Sequence, residues 1–501
     1  MNLARNLEQA ARFFSEFPAV AERGQTASYA SLEAESSRIA GALAGLGLAP
    51  GEFVAICLPN SREWLSAYFG VLKTGGAAVT LAAGLPPDEL RPLLADCKPK
   101  VFFTTGEKLT SLGGRPEIEA PVVIAPGGDF TYEELLARGT DDFPAVERGR
   151  GDVAAVLYTG GTTGVPKGVM LTHENLMVSA HNVARQERST HEDRALCFLP
   201  LNHVFGQVHV MHSTILTGGC LEMLPAFDLD EVLAALGRGE VTKFYAVPTV
   251  YLRLLGLDNL RQRLGRVRYC FSAAASMALE VVREWKWASG LNIHEAYGMT
   301  ESASMVTYNH YYRHKVGSVG TPVGSVEVAI MDREGRPLPQ GQEGEICIQG
   351  PNIMRGYLNR PEETARAFWG PWFRSGDVGY LDQEGYLYIV DRIKDMIITG
   401  GENVYPREVE ELLYQRLEVA ECAVVGLPDR EYGERVTAVI VPKAGADLDP
   451  EELRAYLKER LSGFKVPKAF LTVPELPKSA AGKILKRVLK ENIQRQPPPR
   501  H

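Results

Sequence analysis

The sequence predicts an α/β protein. A large N-terminal region holds two doubly wound α/β units plus a small β-barrel, and a small α+β region follows it. Three observations carry this expectation. Helical and strand patterns alternate through the first hundred residues and again from 196 to 296. From about residue 316 short strands succeed one another, joined by Gly, Pro and Asp turns. After Asp391 helices return between the strands.

The elements follow in order. Leu32, Ile39, Leu43 and Leu46 mark one helical face, closed by Gly45 and Gly47. Phe53–Leu58 is a short apolar strand, Trp64–Lys73 a helix, Ala77–Leu81 a strand, Asp88–Ala95 a helix and Val101–Phe103 a strand. Such alternation argues for a parallel sheet with crossover helices. Leu196–Leu199, Cys220–Leu224, Thr242–Val247, Val267–Phe271 and Asn292–Ala296 continue the rhythm as a second unit. Val323–Met331, Gly344–Ile348 and Tyr386–Val390 are the barrel strands. Beyond them, Tyr405–Arg416 and Pro450–Leu461 read as helices, Ala420–Val425 and Val436–Val441 as strands, and a short basic helix closes the chain. The charged string Asp391-Arg-Ile-Lys-Asp395 between apolar strands marks a domain junction, giving domains 1–391 and 392–501.

At 501 residues the chain exceeds one ordinary core. Its 45% hydrophobic and 23% charged content is that of a soluble globular protein. A net charge of −8 without a basic run argues against nucleic-acid binding. Seven scattered cysteines form no C-x-x-C and read as reduced core residues, which suits a cytoplasmic protein. No secretory signal and no membrane-spanning run is expected.

Chemistry concentrates in Tyr158-Thr-Gly-Gly-Thr-Thr-Gly-Val-Pro-Lys-Gly168, directly after the apolar strand Val153–Leu157. Free backbone N–H groups, hydroxyls and one mobile cation are what a polyphosphate needs. The spacing is not that of the Walker loop, because Pro166 precedes Lys167 and Gly168 follows it. His294-Glu-Ala-Tyr-Gly-Met-Thr-Glu301 combines an aromatic ring, a hydroxyl and a carboxylate able to hold Mg²⁺. Phe271-Ser-Ala-Ala-Ala-Ser276 carries only small side chains after its first residue, which lets backbone approach a flat ring. Arg374-Ser-Gly-Asp-Val-Gly379 offers an aspartate that can accept from two hydroxyls, although Gly-Asp is also turn chemistry. Pro477-Lys-Ser-Ala-Ala-Gly-Lys483 lies in a basic segment that would otherwise read as a solvated face.

Taken together these motifs resemble the acyl-adenylate-forming superfamily, of the acyl-CoA synthetase and 4-coumarate:CoA ligase type. The resemblance spans nearly the whole chain. It implies an ATP-dependent acid–thiol ligase that uses ATP, Mg²⁺ and coenzyme A, passing through acyl-AMP to acyl-CoA. Thr159, Gly160, Gly161, Thr162, Thr163, Gly164 and Lys167 would hold phosphates. Ala273, Ala274, Ala275 and Tyr297 would lie against adenine, with alanine at 273 where relatives often carry glycine. Thr300 would bond the α-phosphate and Glu301 the Mg²⁺. Asp377 and Arg392 would hold the ribose, and Lys483 would bridge the substrate carboxylate and the ATP-derived oxygens. The resemblance also implies a small C-terminal domain that rotates about Lys394, bringing Gly400, Gly401 and Glu402 to line the tunnel for CoA. Lys483 is the type of lysine on which bacterial protein acetyltransferases act.

Pro200-Leu-Asn-His-Val-Phe-Gly-Gln207 resembles the segment beside the substrate carboxylate. His203, Phe205 and His209 are the expected pocket residues, His203 also serving catalysis. Peptide-synthetase adenylation domains carry an aspartate here, and its absence from 200–207 argues against an amino acid substrate. The expected acid is a medium- or long-chain fatty acid or an aromatic acid. An enzyme loading an acyl carrier protein, a luciferase-like oxygenase and a non-catalytic nucleotide-binding relative are the alternatives. Retention of the lysines and of Glu301 argues against the last.

Overall fold

A computed structural model describes residues 1–115, 119–159, 166–275, 277–443, 445–478 and 484–495. Two seven-stranded sheets dominate the first 357 residues. One runs in the order 293–295, 269–272, 243–246, 194–197, 220–223, 18–22, 25–28, parallel except for the last pair. The other runs 356–357, 167–172, 153–159, 77–80, 53–57, 101–104, 122–124. In each, the chain leaves its first parallel strand to one side and then crosses back to build the other side. This is the doubly wound arrangement expected from the alternating pattern.

The strands are apolar along their length because both faces are covered. Val54 to Cys57 and all of Val101–Phe103 are buried, as parallel strands under helices must be. A side chain such as Phe102 or Phe103, facing opposite layers, contributes roughly 2–3 kcal/mol by leaving water. Helices start where side chains satisfy their free N–H groups. Ser61 accepts from Trp64 N, and Thr172 and Asn175 form a reciprocal capping box at His173–Gln186. Lys73 is buried to 1% exposure, paired with Glu8 at 3.0 Å and with Glu33. The N-terminal helix Arg5–Phe13 seals this side of the core with Leu7 and Ala10.

The segment read as a small barrel is an antiparallel sheet of strands Glu327–Met331, Gly344–Gln349, Trp372–Leu381, Phe368–Trp369 and Leu387–Arg392. The C-terminal region packs the helices Pro406–Tyr414, Pro450–Lys458 and Lys486–Arg495 on strands 397–399, 402–404, 419–429, 433–442 and 469–472. Its two buried clusters draw only on residues from Ile397 onward, whereas the other clusters end at Leu387. All seven cysteines are buried and unpaired. Among the described residues no helix is long and apolar enough to cross a membrane.

Candidate active site

Thr159 ends one strand and Lys167 begins the next, and the two residues face each other in antiparallel register. The expected phosphate residues Gly160, Gly161, Thr162, Thr163 and Gly164 between them lie outside the described residues. The Lys167 ammonium pairs with Glu363 and sits 5.1 Å from the centre of the Tyr357 ring. Tyr357 Oη donates to Glu301 Oε1 at 3.0 Å. Thr300 and Glu301 form a single 3₁₀ turn, pinned by Met354 N donating to the Glu301 carbonyl at 2.8 Å. Burial raises the Glu301 pKa above the ordinary carboxylate value, because a bare negative charge is poorly solvated there.

Tyr297 lies only four residues before Glu301, but its side chain points to a different strand. Tyr297 Oη donates to Asp377 Oδ2 at 2.7 Å. Asp377 also pairs with Arg392 Nε at 3.1 Å, its opposite number across the antiparallel strands. Asp377 therefore sits mid-strand and 4% exposed, and not in the turn that Gly-Asp alone would suggest. Lys394 lies two residues beyond Arg392. Partial withdrawal from water, with Arg392 close by, draws its pKa below the ordinary lysine value.

Ala273, Ala274 and Ala275 follow the strand Tyr269–Ser272. Ala274 takes φ +71°, a left-handed conformation that costs an alanine about 1–2 kcal/mol. Phe271, just before them, stacks against His209 with ring centres 4.1 Å apart, and Phe205 lies edge-on to both at 5.4 and 5.6 Å. The adenine and acyl-pocket candidates thus meet at one aromatic cluster. Phe205 and His209 lie on a π-helical segment, Phe205–His212, wider than an ordinary α-helix. Gly206 permits this, since a Cβ there would come within 2.4 Å of the Pro200 carbonyl oxygen. His203 is half-buried beside it, and its Nδ1 accepts from Phe205 N at 3.2 Å.

Behind His209 lies a buried ion-pair cluster that the motifs do not include. His209 Nε2 lies 2.6 Å from Glu187 Oε1, and Glu187 is wholly buried. The Glu187 carboxylate also receives Lys243 Nζ at 3.2 Å, Tyr269 Oη at 3.1 Å and the Tyr245 hydroxyl. Burial alone would raise its pKa, but Lys243, His209 and these donors more than reverse that and hold it at about 2. A lysine inside the apolar run Thr242–Val247 was the available signal.

In the C-terminal region Gly400 and Gly401 form a two-residue hairpin turn, both at positive φ, between Ile397–Thr399 and Glu402–Val404. Glu402 is exposed there. Lys483 lies outside the described residues. The chain on either side of it is closed by Leu485 N donating to the Pro477 carbonyl at 2.8 Å. Lys478 and Lys486 are half-buried and paired, with Glu421 at 2.6 Å and Glu410 at 2.7 Å. Arg407 joins the two regions, donating to the Ile389 carbonyl at 2.7 Å while its amide bonds Asp391 Oδ2 at 2.9 Å.

The pattern described as AMP-binding enzyme matches residues 7–358, and that of the AMP-binding enzyme C-terminal domain matches 408–483. The chain belongs to the AMP-binding enzyme family. It is 37% identical over 479 residues to a feruloyl-CoA synthase of Amycolatopsis sp., covering 95% of this chain and 96% of that one. To a long-chain-fatty-acid–CoA ligase of Bacillus subtilis (strain 168) it is 34% identical, covering 97% and 93%. Among solved structures it is similar to ATP-bound MatB from Rhodopseudomonas palustris, with TM-score 0.91, 34% identity and 99% of each chain covered. Like other AMP-binding enzymes of this group it is an AMP-forming acid–thiol ligase, making acyl-CoA from a carboxylic acid, ATP and CoA through an acyl adenylate.

Proposed function

We propose that the acid is aromatic, ahead of a medium- or long-chain fatty acid, and that the residues above divide the two half-reactions between them. The cluster of Phe205, His209 and Phe271 supports the first point, since aromatic rings gathered where the acyl pocket is expected suit a flat aromatic acid. The feruloyl-CoA synthase relative is named for an aromatic acid.

In this reading the carboxylate attacks the α-phosphorus of ATP and pyrophosphate leaves. Ala273–Ala275 and Tyr297 bound the adenine, Asp377 and Arg392 hold the ribose, and Thr159, Lys167 and the 160–164 loop hold the phosphates. Thr300 bonds the α-phosphate, His203 orients the substrate carboxylate, and Lys483 reduces the repulsion between the two anions. No group of three His, Cys, Asp or Glu able to cage a metal occurs among the described residues. A single carboxylate beside a phosphate loop instead suits Mg²⁺ arriving on ATP, which keeps most of its oxygen ligands from water and phosphate. Glu301 fits that part, because the burial that disfavours its bare charge favours a cation beside it. Mg²⁺ bound there supplies neutralisation of phosphate charge. In the second half-reaction the domain 392–501 turns about Lys394, and Gly400, Gly401 and Glu402 line the path of the CoA thiol, whose attack on the carbonyl releases AMP. Acetylation of Lys483 by a protein acetyltransferase would remove the charge the first half needs, as would suit a cytoplasmic enzyme under metabolic control.

The observation that carries this reading is the convergence on one site of Glu301, Tyr357 and Lys167 from three separate strands and turns. The test is acid-dependent pyrophosphate release over a panel of aromatic and fatty acids, with and without CoA, on wild type and Glu301→Ala. Release with aromatic acids, thioester only with CoA, and loss in the variant are expected. Wild-type rates in Glu301→Ala would remove its metal role, and a uniform preference for long fatty acids would remove the aromatic assignment.

A further inference from the structure

A groove of about 430 Å³ runs between the edge strand Gly356–Tyr357 and the helix Pro361–Arg366, walled by Arg355, Tyr357, Asn359, Arg360 and Thr364. Its walls are tied to both ends of the 160–165 segment. On one side Lys167 pairs with Glu363 and lies against the Tyr357 ring. On the other, Tyr158 Oη donates to Asp96 Oδ2 at 2.7 Å, and Asp96 Oδ1 holds Asn359 Nδ2 at 3.3 Å and Arg360 at 3.6 Å. Thr159 and Lys167 face each other in register, and the groove's Tyr357 wall is the ring that Lys167 lies against.

The groove's charges are loosely held. Arg360 stands between Asp96 and Glu363 at 3.6 and 3.8 Å, too far for strong charge-assisted bonds. Arg355 is exposed; it reaches the Gly151 carbonyl at 3.4 Å and makes no ion pair among the described residues. Glu363, the acid on the adjoining helix, is already neutralised by Lys167, which holds its carboxyl below the ordinary range. A compact polyanion would find two under-used guanidinium groups here, beside the Tyr357 ring that Lys167 touches. Met170, Tyr357, Pro361 and Ala365 supply the groove's apolar lining, and the two arginines supply its charge.

We propose that this groove is the exit site for pyrophosphate. The inference rests on the adenylation reading above. As the carboxylate oxygen bonds to the α-phosphorus, the bond from that phosphorus to the β-bridging oxygen breaks, and its electron pair leaves with pyrophosphate. The released anion passes from the loop to Arg355 and Arg360, and Glu363 recovers Lys167 behind it. Arg355 and Arg360 bind the product and take no part in the chemical step.

The test uses the full chain with Arg355→Gln, Arg360→Gln, the double variant and Arg355→Lys. Two readouts are inhibition by added inorganic pyrophosphate and its calorimetric binding to the free enzyme. A third is the KM for ATP, measured with inorganic pyrophosphatase present to remove product. Each Gln variant is expected to weaken pyrophosphate inhibition by about five- to tenfold, as loss of a charge-assisted phosphate contact should. The double variant should weaken it further, Arg355→Lys should recover part of it, and ATP KM should stay within about twofold of wild type. Unchanged inhibition in the double variant, with its thermal melting intact, would overturn the proposal. An ATP KM that rose in step with the pyrophosphate constant would overturn it too, by showing that the arginines grip ATP itself. Absence of acid-dependent pyrophosphate release in the wild type would instead strike the adenylation reading, so the two failures are distinguishable.

Discussion

Replacing Glu187 with glutamine keeps its size and removes a buried negative charge. The folded pKa of about 2 lies below the ordinary 4.5, and at 1.36 kcal/mol per unit the carboxylate contributes on the order of 3 kcal/mol near neutral pH. A similar figure comes from the general cost of breaking a buried ion pair, about 3–5 kcal/mol, lessened here because Lys243 keeps Asp193 at 3.4 Å. The sign follows from which state takes the proton first. Above the ordinary value of 4.5 the group is ionised whether folded or not, and the whole contribution is present. As pH falls below that value the unfolded chain protonates first, and the contribution drains away until it is gone near the folded pKa of about 2. Roughly 1 kcal/mol of it is already lost at pH 4. Urea unfolding followed by tryptophan fluorescence at pH 7 and pH 4 measures the difference between wild type and Glu187→Gln. A cost under about 1 kcal/mol at pH 7, or one that does not shrink at pH 4, would refute the account of Glu187 as an ionised hub. Because His209 loses a charged partner, the ranking of acids in the release assay should also change.

Lys483→Ala should fail to make acyl-AMP from ATP yet still convert supplied acyl-AMP and CoA to acyl-CoA. Lys394→Pro, which fixes the hinge φ, should form acyl-AMP and be slow to pass it on; stopped assays of both halves on both variants decide, and equal losses in the two halves would end the division of labour. Glu295 is buried at the end of a strand, and desolvation raises its pKa to about 8. The folded state therefore holds that proton up to about pH 8 while the unfolded chain loses it near 4.5, so stability is lost as pH rises across this window. Glu295→Gln should accordingly stabilise by at least ~2 kcal/mol above pH 8 and by little near pH 4.5, read from melting curves at the two values. At Ala274, φ +71° suits glycine and strains a β-branched side chain. Ala274→Gly should preserve ATP affinity, whereas Ala274→Val should weaken it about tenfold; equal affinities in the two would show that this backbone does not contact the nucleotide.

The parallel strands were legible because each is a short apolar run with both faces covered, as at Phe53–Cys57 and Tyr269–Ser272. Gly400 and Gly401 were expected only as a tunnel loop, and the structure makes them a hairpin turn, where positive φ leaves few residue choices. What the sequence concealed are contacts between distant positions. Tyr297 and Asp377 stand 80 residues apart, and no local pattern ties the hydroxyl of one to the carboxylate of the other. Glu187 reads as an ordinary polar residue at a helix end, and only packing turns it into an acceptor for His209, Lys243 and two tyrosines. Glu363 likewise reads as one acid in an exposed helix, yet it holds Lys167. Spacing along a chain reports which side chains share a face; it does not report which faces meet.

The seven buried cysteines bear on how the enzyme handles an activated acyl group. Burial raises Cys57 and Cys220 to about 11 and Cys97, Cys197, Cys270 and Cys347 to about 12, and it raises Cys422 well above the ordinary thiol value. At pH 8 no more than roughly one in a thousand of these thiols is ionised, and none lies open to solvent. An acyl adenylate formed here meets no competing sulfur nucleophile of the protein's own, so self-acylation and mixed disulfides with coenzyme A are suppressed by packing alone. The same concealment makes alkylating reagents silent toward the native state, and the rate at which the chain consumes them becomes a direct clock for its opening.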